Sequence, residues 1–197
     1  MSDLLLVRHG ETAWSADGRH TGRTDVPLTA RGVDEAVSLA PYFRDRHPAL
    51  VLTSPLRRAV ATAELAGLTG TVTDPDLYEW DYGGYEGVTT AEIQRTTPDW
   101  SLWTHGVPPG DEEHPGESAA QVGARADRAL ARVAPVLRAD GGNVVIVAHG
   151  HFLRVLTARY LGLGPAEGRL FLLRTGTVST LSTEHGLPVI AGWNTRP

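Results

Sequence analysis

Residues 4–12 read LLLVRHGET and residues 143–151 read NVVIVAHGH. Each is a short, continuous apolar run that stops abruptly at histidine and glycine. Runs of this kind are expected of strands covered on both faces, as in the sheet of an α/β protein. Ala49–Thr53 is a third such run. Val178–Ser182 and Pro188–Ala191 are weaker candidates near the end of the chain.

Helical patterns lie between these runs. Thr29 caps a helix predicted to reach about Arg44, with Pro41 kinking or ending it. Ser54-Pro55 reads as an N-cap followed by proline in the first turn, opening a helix to about Ala66. Glu117–Leu137 is a long Ala- and Arg-rich helix capped at Glu117-Ser118, and Gly150 to about Leu161 is another. Strands alternating with helices predict an α/β fold, a three-layer α/β/α sandwich with a mostly parallel central sheet. The 197 residues suit one domain. Residues 74–116 are rich in Pro, Gly, Trp and acid and read as a lid-like excursion over one sheet edge.

The composition narrows the chemistry. With 41% hydrophobic and 21% charged residues the chain resembles an ordinary soluble globular protein. No apolar run approaches the ~20 residues of a membrane helix. LLLV is too short for a signal-peptide core, so a cytoplasmic location is the expectation. A net charge of −5 argues against nucleic acid as a partner. All 18 basic residues are arginine, so neither a P-loop lysine nor a Schiff-base lysine exists. Any anion must be held by arginine, histidine or backbone N–H groups.

In open α/β sheets, ligands sit at the carboxyl ends of the strands. There, the first run delivers Arg8-His9-Gly10 and the NVVIVA run delivers His149-Gly150. Ala49–Thr53 leads at the same edge into SPLRR, which adds Arg57 and Arg58. Positive charges so gathered expect a dianion, and a phosphoryl group suits planar arginine forks. A neutral histidine among them can attack phosphorus. The leaving oxygen then needs a proton, for which LYEWDYGGYEG supplies Glu79, Asp81 and Glu86. Spacing alone leaves Arg57 and Arg58 as alternatives. Gly10 is read as letting the backbone turn close to the phosphoryl group.

Five segments, LLLVRHGET, TSPLRRAVATA (53–63), LYEWDYGGYEG (77–87), PGES (115–118) and VVIVAHGHFLR (144–154), resemble the histidine phosphatase superfamily, the phosphoglycerate-mutase-like fold. Their order is the family's and they span most of the chain. The resemblance implies that His9 is the nucleophile and becomes phosphohistidine. It implies that Arg8 and Arg58 bind phosphoryl oxygens, that a protonated His149 joins them, and that Glu79 is the proton donor. Thr21-Gly22 match a substrate-contacting loop, and Ser15 stands where the family usually has asparagine. Tyr82, Gly150 and His151 complete the substrate-binding candidates.

The resemblance is nearer to acid phosphatase and sugar-bisphosphatase branches than to the glycolytic mutases, which are longer and use a lysine. It implies a metal-independent phosphatase acting on a small-molecule phosphate ester of the sugar phosphate or sugar bisphosphate class, with no cofactor. Mutase-type transfer within a sugar acid is the alternative, and a non-catalytic phospho-ligand sensor is the distant one. The chain is expected to be a monomer or homodimer. A metal site on His149-x-His151 lacks a third ligand at recognisable spacing. Arg57 is read as a solvated helix residue or ion-pair partner, and Asp81 and Glu86 as loop-ordering groups.

Overall fold

The computed structural model describes residues 2–196. Its six-stranded sheet comprises β1 (Leu4–Arg8), β2 (Leu50–Thr53), β3 (Thr71–Thr73), β4 (Val144–Ala148), β5 (Thr177–Glu184) and β6 (Leu187–Thr195), in the order β3-β2-β4-β1-β5-β6. The pairs β3–β2, β2–β4 and β4–β1 are parallel. β5 runs antiparallel to β1, and β6 antiparallel to β5. The mostly parallel sheet is as expected. β3 was not legible in the sequence: it is three residues long, lies at an edge, and has no buried apolar run to mark it.

Alternation along the strands builds a core on each face. Leu4, Leu6, Val144 and Ile146 pack with Val122, Ala126 and Phe152 on one side. Leu5, Val7, Val145 and Val147 pack with Leu39, Phe43, Ala59 and Ala63 on the other. This is the three-layer arrangement. Its helices are α1 (Ala30–Val37), α2 (Arg57–Leu65), α3 (Ala119–Arg138) and α4 (Gly150–Tyr160), joined by shorter helical turns. No helix among the described residues is long and apolar enough to cross a membrane.

Two helix boundaries differ from the sequence reading. The helix capped by Thr29 stops at Val37, and a separate turn runs over Ala40–Phe43. Pro41 has no N–H to offer the Val37 carbonyl four residues back, and its ring would clash with it. Ser54 does not cap α2, whose N-cap is Leu56 without a side-chain bond. Instead the Arg57 N–H donates to Asp25 Oδ1 at 3.0 Å, so the helix start is satisfied from a distant loop. Ser118 does cap α3 as expected, through a reciprocal capping box with Gln121.

Residues 74–116 contain only short helical turns and are tied down by their own acids. Asp81 Oδ1 accepts the N–H groups of Gly83 and Gly116. Glu86 accepts those of Gly22 and Thr24 from the loop after β1. Both carboxylates order loops, as the sequence suggested.

Candidate active site

The parallel register pairs Arg8 with Ala148, so His9 and His149 leave neighbouring strands at the same level. Their rings lie 5.1 Å apart in an edge-to-face arrangement. His9 Nδ1 is 2.7 Å from the Gly10 carbonyl oxygen. A carbonyl only accepts, so Nδ1 carries the hydrogen and Nε2 keeps its lone pair. Burial, then the charges of Arg58 and Arg8, hold the His9 pKa well below the usual imidazole value. The ring is therefore neutral near pH 7, as a nucleophile requires.

His149 departs from expectation. Its Nδ1 accepts from the Arg58 Nε–H at 3.2 Å. Guanidinium offers only donors, so this nitrogen bears the lone pair and the ring is neutral. Nε2 then donates to Ser54 Oγ at 2.7 Å. Burial and the neighbouring Arg58 push its pKa well down. The protonated form read from the sequence is thus not the one this geometry holds.

Arg58 is fully buried behind the two histidines. Besides His149, it donates to the carbonyls of Thr24 (2.9 Å), Thr21 (3.2 Å) and Gly22 (2.8 Å). It does not reach the wall of the cavity in front of His9, and neither do His149 and Gly22. Arg57, by contrast, is exposed and ion-paired with Asp25. Of Arg8, Arg57 and Arg58, it is Arg8 that faces the cavity. Nη1 donates to the Leu173 carbonyl, while its buried Nε has no partner. Gly150 makes room for it: a Cβ there would sit 3.0 Å from Arg8 Cζ. Gly10 plays a different part from the one expected. A Cβ at Gly10 would lie 2.2 Å from the Gly32 carbonyl, so the residue lets the chain pass against α1.

Glu79 reaches the same cavity from the excursion. Its Oε1 accepts the N–H groups of Trp80 and Phe152, both at 2.8 Å, and Oε2 that of His151 at 3.0 Å. The carboxylate thus sits on the N-terminus of α4, which lacks a side-chain cap of its own and has free N–H donors and a positive dipole end. Arg125 fixes the backbone behind it, donating to the carbonyls of Asp76, Tyr78 and Glu79 and to both oxygens of Glu117.

The cavity measures about 210 Å³. Ser15, Thr21, Tyr82, Gly150 and His151 line it together with Arg8, His9 and Glu79. The Ser15 hydroxyl is engaged with Thr12 in a capping box, accepting one bond and donating another. Tyr82 Oη is 2.6 Å from His151 Nδ1. Burial raises the phenol pKa and lowers that of the imidazole, so both are neutral.

The whole span 4–196 matches the family model described as "Histidine phosphatase superfamily (branch 1)". This chain belongs to that superfamily. The chain is a phosphoric monoester hydrolase, and it is similar to proteins named as phosphatases as well as, at 32–34% identity, to Yersinia proteins named as probable phosphoglycerate mutases. It is 44% identical over 190 residues to an acid phosphatase of Mycobacterium tuberculosis, covering 95% of this chain and 90% of the relative. It is 34% identical over 190 residues to a sedoheptulose 1,7-bisphosphatase of Saccharomyces cerevisiae, covering 81% of this chain and 68% of that protein. A solved Mycobacterium tuberculosis protein superposes with a TM-score of 0.91 at 42% identity, covering 99% and 98% of the two chains.

Other residues of the histidine phosphatase cavity carried no role in the sequence reading. Arg19 reaches it from an irregular segment and Thr90 from the start of a one-turn helix, Thr90–Ile93, both too short for periodicity to signal them. Arg154 did have a signal. It lies four residues after Gly150 on α4, hence on the same helix face.

Proposed function

We propose that this phosphatase hydrolyses a small phosphorylated metabolite of the sugar phosphate or sugar bisphosphate class, without a metal, through a phosphohistidine on His9. The observation that carries this is one cavity holding a neutral His9 with Nε2 unprotonated, the buried, unpartnered Nε–H of Arg8, and Glu79. The His9 Nε2 lone pair attacks phosphorus as the ester P–O bond breaks, and Arg8 donates to the phosphoryl oxygens. Glu79 delivers the proton to the leaving oxygen and so becomes the carboxylate that the three N–H groups hold. In the second half Glu79 takes a proton from water, whose oxygen attacks phosphorus and releases His9 and inorganic phosphate. Such acid–base assistance is worth roughly 10²–10⁴-fold in rate. Arg58 joins the phosphoryl group by exchanging carbonyl partners for phosphoryl oxygens. Residues 74–116 act as the lid, since they bring Glu79, Tyr82 and Thr90 to the cavity.

The test is turnover of an aryl phosphate in excess EDTA, with rapid-quench trapping of the labelled enzyme. Full activity under chelation and a trapped phosphoenzyme, both absent in His9→Ala on trapping and turnover, are expected. Loss of activity on chelation, or trapping that survives His9→Ala, overturns the proposal.

A further inference from the structure

Residues 30–36 read ARGVDEA. Gly32 and Glu35 stand three apart on α1 and so share a face. That face packs on the loop after β1. A Cβ at Gly32 would lie 2.0 Å from the Glu11 carbonyl oxygen, so the missing side chain lets the loop come this close. Three residues on, the largely buried Glu35 side chain reaches the Glu11 N–H, which donates to its Oε2 at 2.9 Å.

The Glu11 N–H and the Gly10 carbonyl belong to one planar peptide unit, so they cannot turn independently. That carbonyl is the acceptor of the His9 Nδ1 hydrogen at 2.7 Å. The nucleophile is thereby linked to a carboxylate through a single peptide plane. Hydrogen bonds in series polarise one another, and a carboxylate acceptor is of the stronger kind. The preceding peptide is held too, its Gly10 N–H donating to Thr62 Oγ1 at 3.1 Å.

Two other roles for Glu35 compete with this one. Its Oε1 makes no hydrogen bond among the described residues and lies 3.4 Å from Arg31 Nε and 3.6 Å from Arg196 Nη2. Both arginines are more than half exposed, and such pairs contribute little. Burial lowers the Arg8 pKa, and Glu35 is among the charges that oppose this. Neither role needs the bond from Oε2 to Glu11.

We propose that Glu35 is a positioning residue for the nucleophile. Through the Gly10–Glu11 peptide it fixes the His9 tautomer that leaves Nε2 bare, and it supports the positive charge the ring gains when Nε2 bonds to phosphorus. This rests on the phosphatase reading above and deepens it.

The experiment reads the ring and the rate separately. A long-range 1H–15N spectrum of the phosphate-free enzyme, with His9→Ala identifying the His9 signals, should show a protonated Nδ1 and a bare Nε2. Rapid-quench phosphorylation by an aryl phosphate gives the rate, and inhibition by inorganic phosphate gives the binding. Glu35→Met keeps the bulk and removes the oxygens. Glu35→Asp keeps the charge but falls a methylene short of the Glu11 N–H. Both should slow phosphoenzyme formation by about tenfold or more while phosphate inhibition stays within about threefold. Both should also mix the Nε2-protonated tautomer into the spectrum. Glu35→Gln keeps an acceptor and should restore most of the rate, and Arg31→Met, which removes only surface pairs, should match wild type.

A wild-type His9 protonated on Nε2 overturns the proposal. So do Met and Asp variants at position 35 with wild-type rates, or slowed ones whose His9 tautomer is unchanged. Weakened phosphate inhibition in step with the rate overturns it as well, because Glu35 would then act on Arg8. A Glu35→Gln enzyme as slow as Glu35→Met, or a slowed Arg31→Met enzyme, overturns it by assigning the effect to charge or to the surface pairs. If Glu35→Met does not fold, Glu35→Asp and the wild-type spectrum decide. Phosphoenzyme that still forms in His9→Ala instead defeats the phosphatase reading, whereas the tautomer is read without turnover.

Discussion

Replacing Arg125 by methionine tests whether Glu79, the proposed proton donor, is held by a buried ion pair. The Arg125 and Glu117 side chains are 10% and 11% exposed and make two 2.8 Å bonds. Arg125 also holds the carbonyls of Asp76, Tyr78 and Glu79. Methionine keeps the packing against Phe152 but leaves the Glu117 carboxylate and those carbonyls without their cation. Removing one partner of a buried pair costs about 3 kcal/mol or somewhat more. For a chain of this size that lowers the melting temperature by roughly 6–12 °C. Urea titration should show a fall in midpoint at unchanged slope. Adding Glu117→Gln removes the stranded charge and should return roughly 1–2 kcal/mol, with the carbonyls still unpaired. Turnover measured well below the melting range should also drop, because Glu79 loses its backbone anchor. A single-variant cost under about 1 kcal/mol, or a double variant no more stable than the single, refutes the reasoning.

Three further outcomes follow from the same geometry. Gly150→Ala places a methyl 3.0 Å from Arg8 Cζ, and it should cut kcat/KM for an aryl phosphate by about tenfold or more, since an ångström-scale misplacement is costly. Glu86→Ala releases the Gly22 and Thr24 amides whose own loop carbonyls hold Arg58, so the inhibition constant for inorganic phosphate should rise while Glu86→Gln behaves closer to wild type. His9, His20, His149 and His151 all have depressed pKa values in the folded state. Below about pH 6.5 the unfolded chain therefore binds protons that the folded one refuses, and each histidine removes up to about 1.4 kcal/mol of stability per pH unit. For His20 this loss ends near pH 4. Urea midpoints should thus fall steeply from pH 7 to pH 5.5, and a flat profile contradicts neutral buried histidines.

Some of this protein is written locally in its sequence. The runs before His9 and His149 are apolar enough to demand cover on both faces, and that alone places both histidines at one sheet edge. Ser118 and Gln121 stand at capping-box spacing, and the box forms. Pro41 stops α1 by removing a donor, an effect that belongs to one residue and its neighbour four back.

Other features depend on partners far along the chain, and no local pattern carries them. Asp25 replaces Ser54 as the residue that satisfies the start of α2, because tertiary folding brings that loop to the helix end. Ser54 is thereby left to His149, and Arg58 is turned onto the carbonyls of residues 21–24. The sequence by itself determined which residues gather at the carboxyl edge of the sheet, because strand alternation and glycine spacing are short-range rules. Only the tertiary structure decided their protonation and their facing. Tautomers follow from which carbonyl or guanidinium lies across a ring, and such contacts span up to 95 residues between Ser54 and His149.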